Sequence, residues 1–141
     1  MATMLVLILG AALALLFVRL ARGYPPGGER RLYAVGLLVT ALIYVTLGVA
    51  GGAGARWLAL EGLGVVIYGA AAWAGFRGRR GLLAAGWAAH VAWDVALHLG
   101  GAGAEYTPPW YPWGCVSFDL VIAGAVLMSM ERATLGLRDA P

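Results

Sequence analysis

The sequence predicts an all-α membrane protein: one polytopic bundle of five transmembrane helices, with its N-terminus outside and its C-terminus in the cytoplasm. Three observations carry this expectation. The chain is 62% hydrophobic and 12% charged, with mean hydropathy +0.81, whereas soluble domains average roughly 45–50% and about 25%. Its 141 residues divide into apolar runs of about 20 residues joined by short links, which makes a single domain over 1–141 with no room for a separate soluble unit. Its arginines concentrate in alternate links, as topology signals do.

The first span, about 2–20, has no positively charged segment ahead of it and is followed by Arg19, Arg22, Arg30 and Arg31, so it reads as a retained helix and not as a cleaved signal. Tyr24, Pro25, Pro26, Gly27 and Gly28 read as a turn, because proline lacks an amide donor and glycine favours irregular backbone. The second span, about 32–50, closes at Gly51 and Gly52. The third, about 57–76, ends at Arg77, Arg79 and Arg80. The fourth, about 81–99, is rich in alanine and glycine, which lets neighbouring backbones approach closely and suits packing against other helices or a second copy of the chain. After a loop over 100–112, the fifth runs about 113–130 and ends at Glu131 and Arg132. GGAGA occurs at 51–55 and again at 100–104, and convergent flexible turns account for it.

Five spans put nine arginines, Arg138 among them, on one side and Arg56 alone on the other. The positive-inside rule makes the nine-arginine side cytoplasmic. A bacterial inner membrane is the expected location, with membrane lipids as partners and possible homo-oligomers. The net charge of +3 does not imply nucleic acid, since the arginines lie in links and form no binding face. The chain has no lysine, which excludes Schiff-base retinal and pyridoxal phosphate. One cysteine, Cys115, allows no intrachain disulfide.

The chemistry concentrates in Gly86 to Asp119. Both histidines and two aspartates fall there, inside runs otherwise as apolar as membrane spans. A charged group at mid-helix costs about 3 kcal/mol to insert, so such residues mark function by default. His90, Asp94 and His98 are spaced i, i+4, i+8 and share one stripe of an α-helix. At 1.5 Å per residue the two histidines lie roughly 12 Å apart, which suits two overlapping pairs, His90 with Asp94 and Asp94 with His98, better than one shared ion. By topology Asp119 is level with Asp94, Glu61 is about one turn below the outer surface, and Cys115 precedes Asp119 by one turn, so spans 3 to 5 bring all six to the outer half.

Two chemistries fit. His90, Asp94, His98, Asp119 and Glu61 are ligand types for a divalent zinc or iron ion. Alternatively, His90, Asp94 and Asp119 form a metal-free proton-transfer site. Tyr68, Trp93, Trp110, Tyr111 and Cys115 are the candidate substrate-lining residues, and Tyr44 with Tyr68 suits a cavity floor. The loop over 105–113 carries three prolines and four aromatics and reads as an interfacial belt or as a lid.

At HVAWDVALH followed by PPWYPWGCVSFD the sequence resembles a family of small bacterial membrane proteins known as a domain of unknown function. His90, Trp93, Asp94, His98, Pro109, Tyr111, Pro112, Cys115, Phe118 and Asp119 carry the likeness. It extends to RRLYAVGLLVTALIYVTLG and to the span with Glu61. The resemblance implies five membrane helices and no particular activity.

The combined expectation is a membrane protein with a polar, metal-binding His/Asp site in the outer half, acting as an enzyme on a lipid-like or isoprenoid substrate. A module that binds or transports protons, metal ions or a small ligand is the alternative, as is a structural subunit of a membrane complex.

Overall fold

The computed structural model describes residues 1–134, so Arg138 and the rest of the C-terminal tail lie outside the described residues. Those residues form five α-helices and no strand: α1 Ala2–Arg22, α2 Pro26–Ala50, α3 Ala55–Phe76, α4 Arg80–Trp93 and α5 Tyr111–Thr134. A π-helical segment, Asp94–Leu99, continues α4, and a 3-10 turn, Ala102–Glu105, follows it. All five spans are long and apolar enough to cross a membrane.

Three helix starts lie two or more residues upstream of the expected positions, α3 at Ala55, and α2 and α5 with a proline in the first turn. The turn before α2 is confined to Gly23–Pro25, and Pro26 opens the helix. Proline suits a first helical position, since its missing amide has no partner there and its φ is already helical. Likewise α5 begins at Tyr111, two residues before Trp113, with Pro112 in its first turn.

The helices are arranged with α1 beside α5, α5 beside α4, α4 beside α3 and α3 beside α2. The ring does not close tightly, because α1 and α2 touch little despite the short turn between them. Arg30 donates to the Phe76 carbonyl and Arg80 to the Ser129 carbonyl, so the starts of α2 and α4 and the C-terminal parts of α3 and α5 meet at one arginine-rich end. The apolar core occupies that half. Trp87 is its centre, enclosed with Leu37, Leu83, Ile122 and Val126, and its indole donates to the Tyr33 carbonyl.

Helix α1 buries only Gly10, Ala14, Val18 and Ala21, a stripe of small residues spaced for one helix face. Leu5, Ile8, Leu9, Leu13, Leu15, Leu16 and Leu20 stay exposed, which is stable only against hydrocarbon. Gly10 permits the approach to α5: a Cβ there would run into the Gly114 carbonyl oxygen and the Ser117 hydroxyl. Gly10→Val is therefore expected to destabilise the bundle by about 1–3 kcal/mol through overpacking, whereas Leu16→Val on the lipid face should stay within about 0.5 kcal/mol. Reversible denaturant titration in mixed micelles measures both. Equal effects would refute the close α1–α5 seam.

Candidate functional site

Two polar clusters sit away from the arginine-rich end. The first joins α4 to α5. His90 is the last buried residue of α4, and Asp94 follows where the π-helical segment begins. The His90 Nδ1 lies 2.8 Å from Asp119 Oδ2 and 3.5 Å from Asp94 Oδ1. One atom from each of the three residues falls within 4.8 Å of the others, and all three are fully enclosed. The His90–Asp94 pair expected from the i, i+4 spacing is therefore formed.

Several atoms of this cluster have no hydrogen bond: His90 Nε2, both Asp94 carboxylate oxygens and Asp119 Oδ1. The Tyr44 hydroxyl lies beside Asp94. Buried polar atoms are nearly always bonded, so this set is shaped for a further group. No arginine among the described residues is paired with either aspartate. Two carboxylates face one imidazole in an apolar bundle, and a cation offsets the charge that results when both are ionised.

The second cluster joins α3 to the π-helical segment and the loop that follows it. Glu61 receives hydrogen bonds from the Tyr106 hydroxyl at 2.7 Å and the Trp93 indole at 3.3 Å. His98 Nε2 stands 3.2 Å from the same carboxylate. His98 Nδ1 shares a 3.1 Å hydrogen bond with Thr107, and the imidazole stacks on Tyr44 at 3.8 Å between ring centroids. Tyr106 lies outside the spans, and burial together with Glu61 pushes its phenol above its ordinary pKa. It therefore remains protonated, and a donor to Glu61, throughout the neutral range.

The expected Asp94–His98 pair is not formed. The helix widens from i→i+4 to i→i+5 bonding at Asp94–Leu99, so the α-helical stripe ends there and His98 turns to Glu61. Such single π turns recur at functional sites. The structure thus brings together His90, Asp94 and Asp119, and pairs His98 and Glu61 separately, with Tyr44 between the groups at 5.8 Å from the His90 ring.

The remaining candidates also divide. Tyr68 packs edge-on to His90 at 4.7 Å and donates to the Ala89 carbonyl, and Trp93 packs against Tyr68. Trp110, Tyr111 and Cys115 line a groove between α1, α2 and α5, and Tyr111 also packs edge-on to Tyr44 at 5.6 Å. In the loop, Tyr106 and Thr107 are buried over the second cluster, while Trp110 and Trp113 are exposed as interfacial aromatics are. The segment thus has an enclosed part and an exposed aromatic part. Gly103 is required for the cover, because a Cβ there would meet His98 Nδ1 and the Leu97 carbonyl. Sequence reasoning singled out neither Thr107 nor the bonds from Tyr106 and Trp93 to Glu61. The only signal was that hydroxyl and indole donors stood near two intramembrane ionisable residues.

Together these features define a helical bundle of five candidate membrane spans with a buried histidine–aspartate cluster that could bind a metal. Residues 4–132 match the model of the family of unknown function DUF6010, and the chain belongs to that family. No curated protein and no solved structure matches it.

Tyr106→Phe removes the shortest bond to Glu61 and should cost about 1–3 kcal/mol, the usual penalty for a deprived buried acceptor. Amide exchange over residues 101–110 should accelerate with it. Unchanged exchange would mean that the Tyr106–Glu61 bond does not hold the loop down.

Proposed function

We propose that the protein is a membrane enzyme for a lipid-like or isoprenoid substrate, built around one divalent metal ion, zinc or iron, at His90, Asp94 and Asp119. The observation that carries this reading is the convergence of three enclosed ligand-type residues from two helices, with donor atoms inside 4.8 Å. Zinc bound to nitrogen or oxygen at 2.0–2.2 Å in tetrahedral geometry sets ligand–ligand edges of about 3.3 Å. The 2.8 Å and 3.5 Å separations from His90 Nδ1 bracket that value. An imidazole and two carboxylates supply three ligands, the usual protein contribution to a catalytic zinc site that keeps one position open. The ion would supply Lewis acidity. Binding at Nδ1 displaces the proton shared with Asp119, so affinity should fall as pH falls.

The positive-inside rule supports the orientation. It puts the arginine-rich end in the cytoplasm and the cluster in the outer half of a bacterial inner membrane, reached from the opposite face or from the lipid. The short His90–Asp119 bond favours a second, metal-free reading. With Nδ1–H donating to Asp119, the His90 Nε2 lone pair is free to accept a proton, and the carboxylate orients the ring and stabilises its charged form.

Metal content separates the two readings. Protein purified in mild detergent without chelator should carry about one equivalent of zinc or iron by mass spectrometry. Asp94→Asn and Asp119→Asn should each weaken binding by more than the roughly 10–100-fold typical of losing an outer-shell partner. Glu61→Gln should retain the metal. Absence of metal above background, after zinc, iron and copper are each offered, would overturn the metal site and leave the proton-transfer reading.

A further inference from the structure

A second feature of the fold bears on what reaches the cluster. Where α1 and α2 fail to close, a groove of about 490 Å³ opens on the face of the bundle. Ligand pockets typically measure about 300–1,000 Å³. Its walls are almost entirely apolar, with Val6, Leu9 and Leu13 from α1, Val39 and Ile43 from α2, and Phe118 from α5 among them. Leu9, Leu13 and Val39 are also exposed on the surface, so the groove opens sideways toward lipid.

We propose that this groove holds one acyl chain of a bilayer lipid, entering laterally between α1 and α2. Four observations identify the occupant. An apolar recess facing the hydrocarbon region offers water no hydrogen-bond partners, and an empty one would forfeit dispersion contacts along its walls. From Val6 to Phe17 the groove follows eleven residue steps of α1, about 16 Å. That is close to half of the roughly 30 Å hydrocarbon thickness, the depth of one leaflet. Trp110 and Tyr111 stand at one end, where interfacial aromatics meet headgroups. Finally, the groove is continuous with the polar site, since Cys115 and Asp119 line it and Asp119 is also bonded to His90.

This placement fixes the register of the lipid. Asp119 lies eight helical residues beyond Tyr111, about 12 Å further into the bilayer. A chain anchored with its headgroup at Tyr111 therefore passes Asp119 with its interior methylenes and not with its ester. The inference deepens the enzyme reading and rests on it for significance: it makes the substrate class a long-chain lipid presented by its hydrocarbon.

The test uses the full chain in nanodiscs of phosphatidylethanolamine and phosphatidylglycerol containing a trace of phosphatidylcholine with a mid-chain diazirine. After irradiation, adducts should fall on α1 and α2 groove residues and around Phe118 at least fivefold more often than on Val66, Ile67 and Trp73 of α3, which face lipid elsewhere. Moving the diazirine next to the ester should shift adducts toward Val6, Trp110 and Tyr111. The plugged variant Leu13→Trp/Val39→Trp, both substitutions being on exposed positions, should lose the excess labelling at least fivefold. Even labelling of all lipid-facing helices in the wild type would overturn the proposal. So would excess labelling that survives in a folded plugged variant. If the plugged variant fails to fold, competition of wild-type labelling by excess unlabelled phosphatidylcholine replaces it: at a seat of fixed number the adducts saturate, and a linear rise with probe would overturn the proposal. Metal content is measured on the same samples. A metal-bearing protein with even labelling loses the groove alone, and selective labelling without metal loses the metal site alone.

Discussion

The molecule is governed by the cost of holding carboxylates inside hydrocarbon. Asp94, Asp119 and Glu61 are almost wholly enclosed, and each unpartnered charge there would cost more than a helix packing contact returns. Two histidines resolve this locally. His90 ties α4 to α5 through Asp119, and His98 ties the end of the same span to α3 through Glu61. The helices at this end are therefore held by polar contacts that only one register satisfies, whereas Trp87 and its neighbours organise the arginine-rich half by apolar packing. The bundle has a dry end and a polar end.

The π-helical segment lets one span serve both clusters. A continuous α-helix would stack His90, Asp94 and His98 along a single stripe and concentrate two imidazoles around Asp94. Widening the backbone at Asp94 swings His98 away, so that each histidine keeps its own carboxylate. The consequence is chemical. At the Glu61 cluster, Tyr106 and Trp93 both donate to the carboxylate and His98 stands 3.2 Å from it, which ties the loop to the bundle. The inner cluster keeps unbonded oxygens and an unbonded nitrogen, which is the condition for taking up an ion or a proton. Tyr44, stacked on His98 and facing His90, separates the two.

The open seam completes the arrangement. Helix α1 reaches α5 through small residues and leaves most of its leucines to lipid, so it acts as one wall of a lateral groove more than as a core element. Asp119 lines the groove and also bonds His90, so among the described residues it joins the apolar groove to the buried histidine–aspartate cluster.

Hydropathy alone determined the five apolar spans, because a bilayer imposes length and polarity on each helix independently of its neighbours. The grouping of His90, Asp94 and Asp119 inside the bundle was legible for the same reason, since ionisable residues in such apolar runs need partners there. Helix starts at Pro26 and Tyr111 were missed because a proline reads as a breaker until its place in the first turn is known. The partnering of His98 with Glu61, the donors from Tyr106 and Trp93, and the groove beside α5 were decided only in three dimensions. They depend on the rotation of helices about their axes and on a change of helical pitch after Trp93. Sequence periodicity assumes that pitch to be constant, and the packing of the whole bundle sets it.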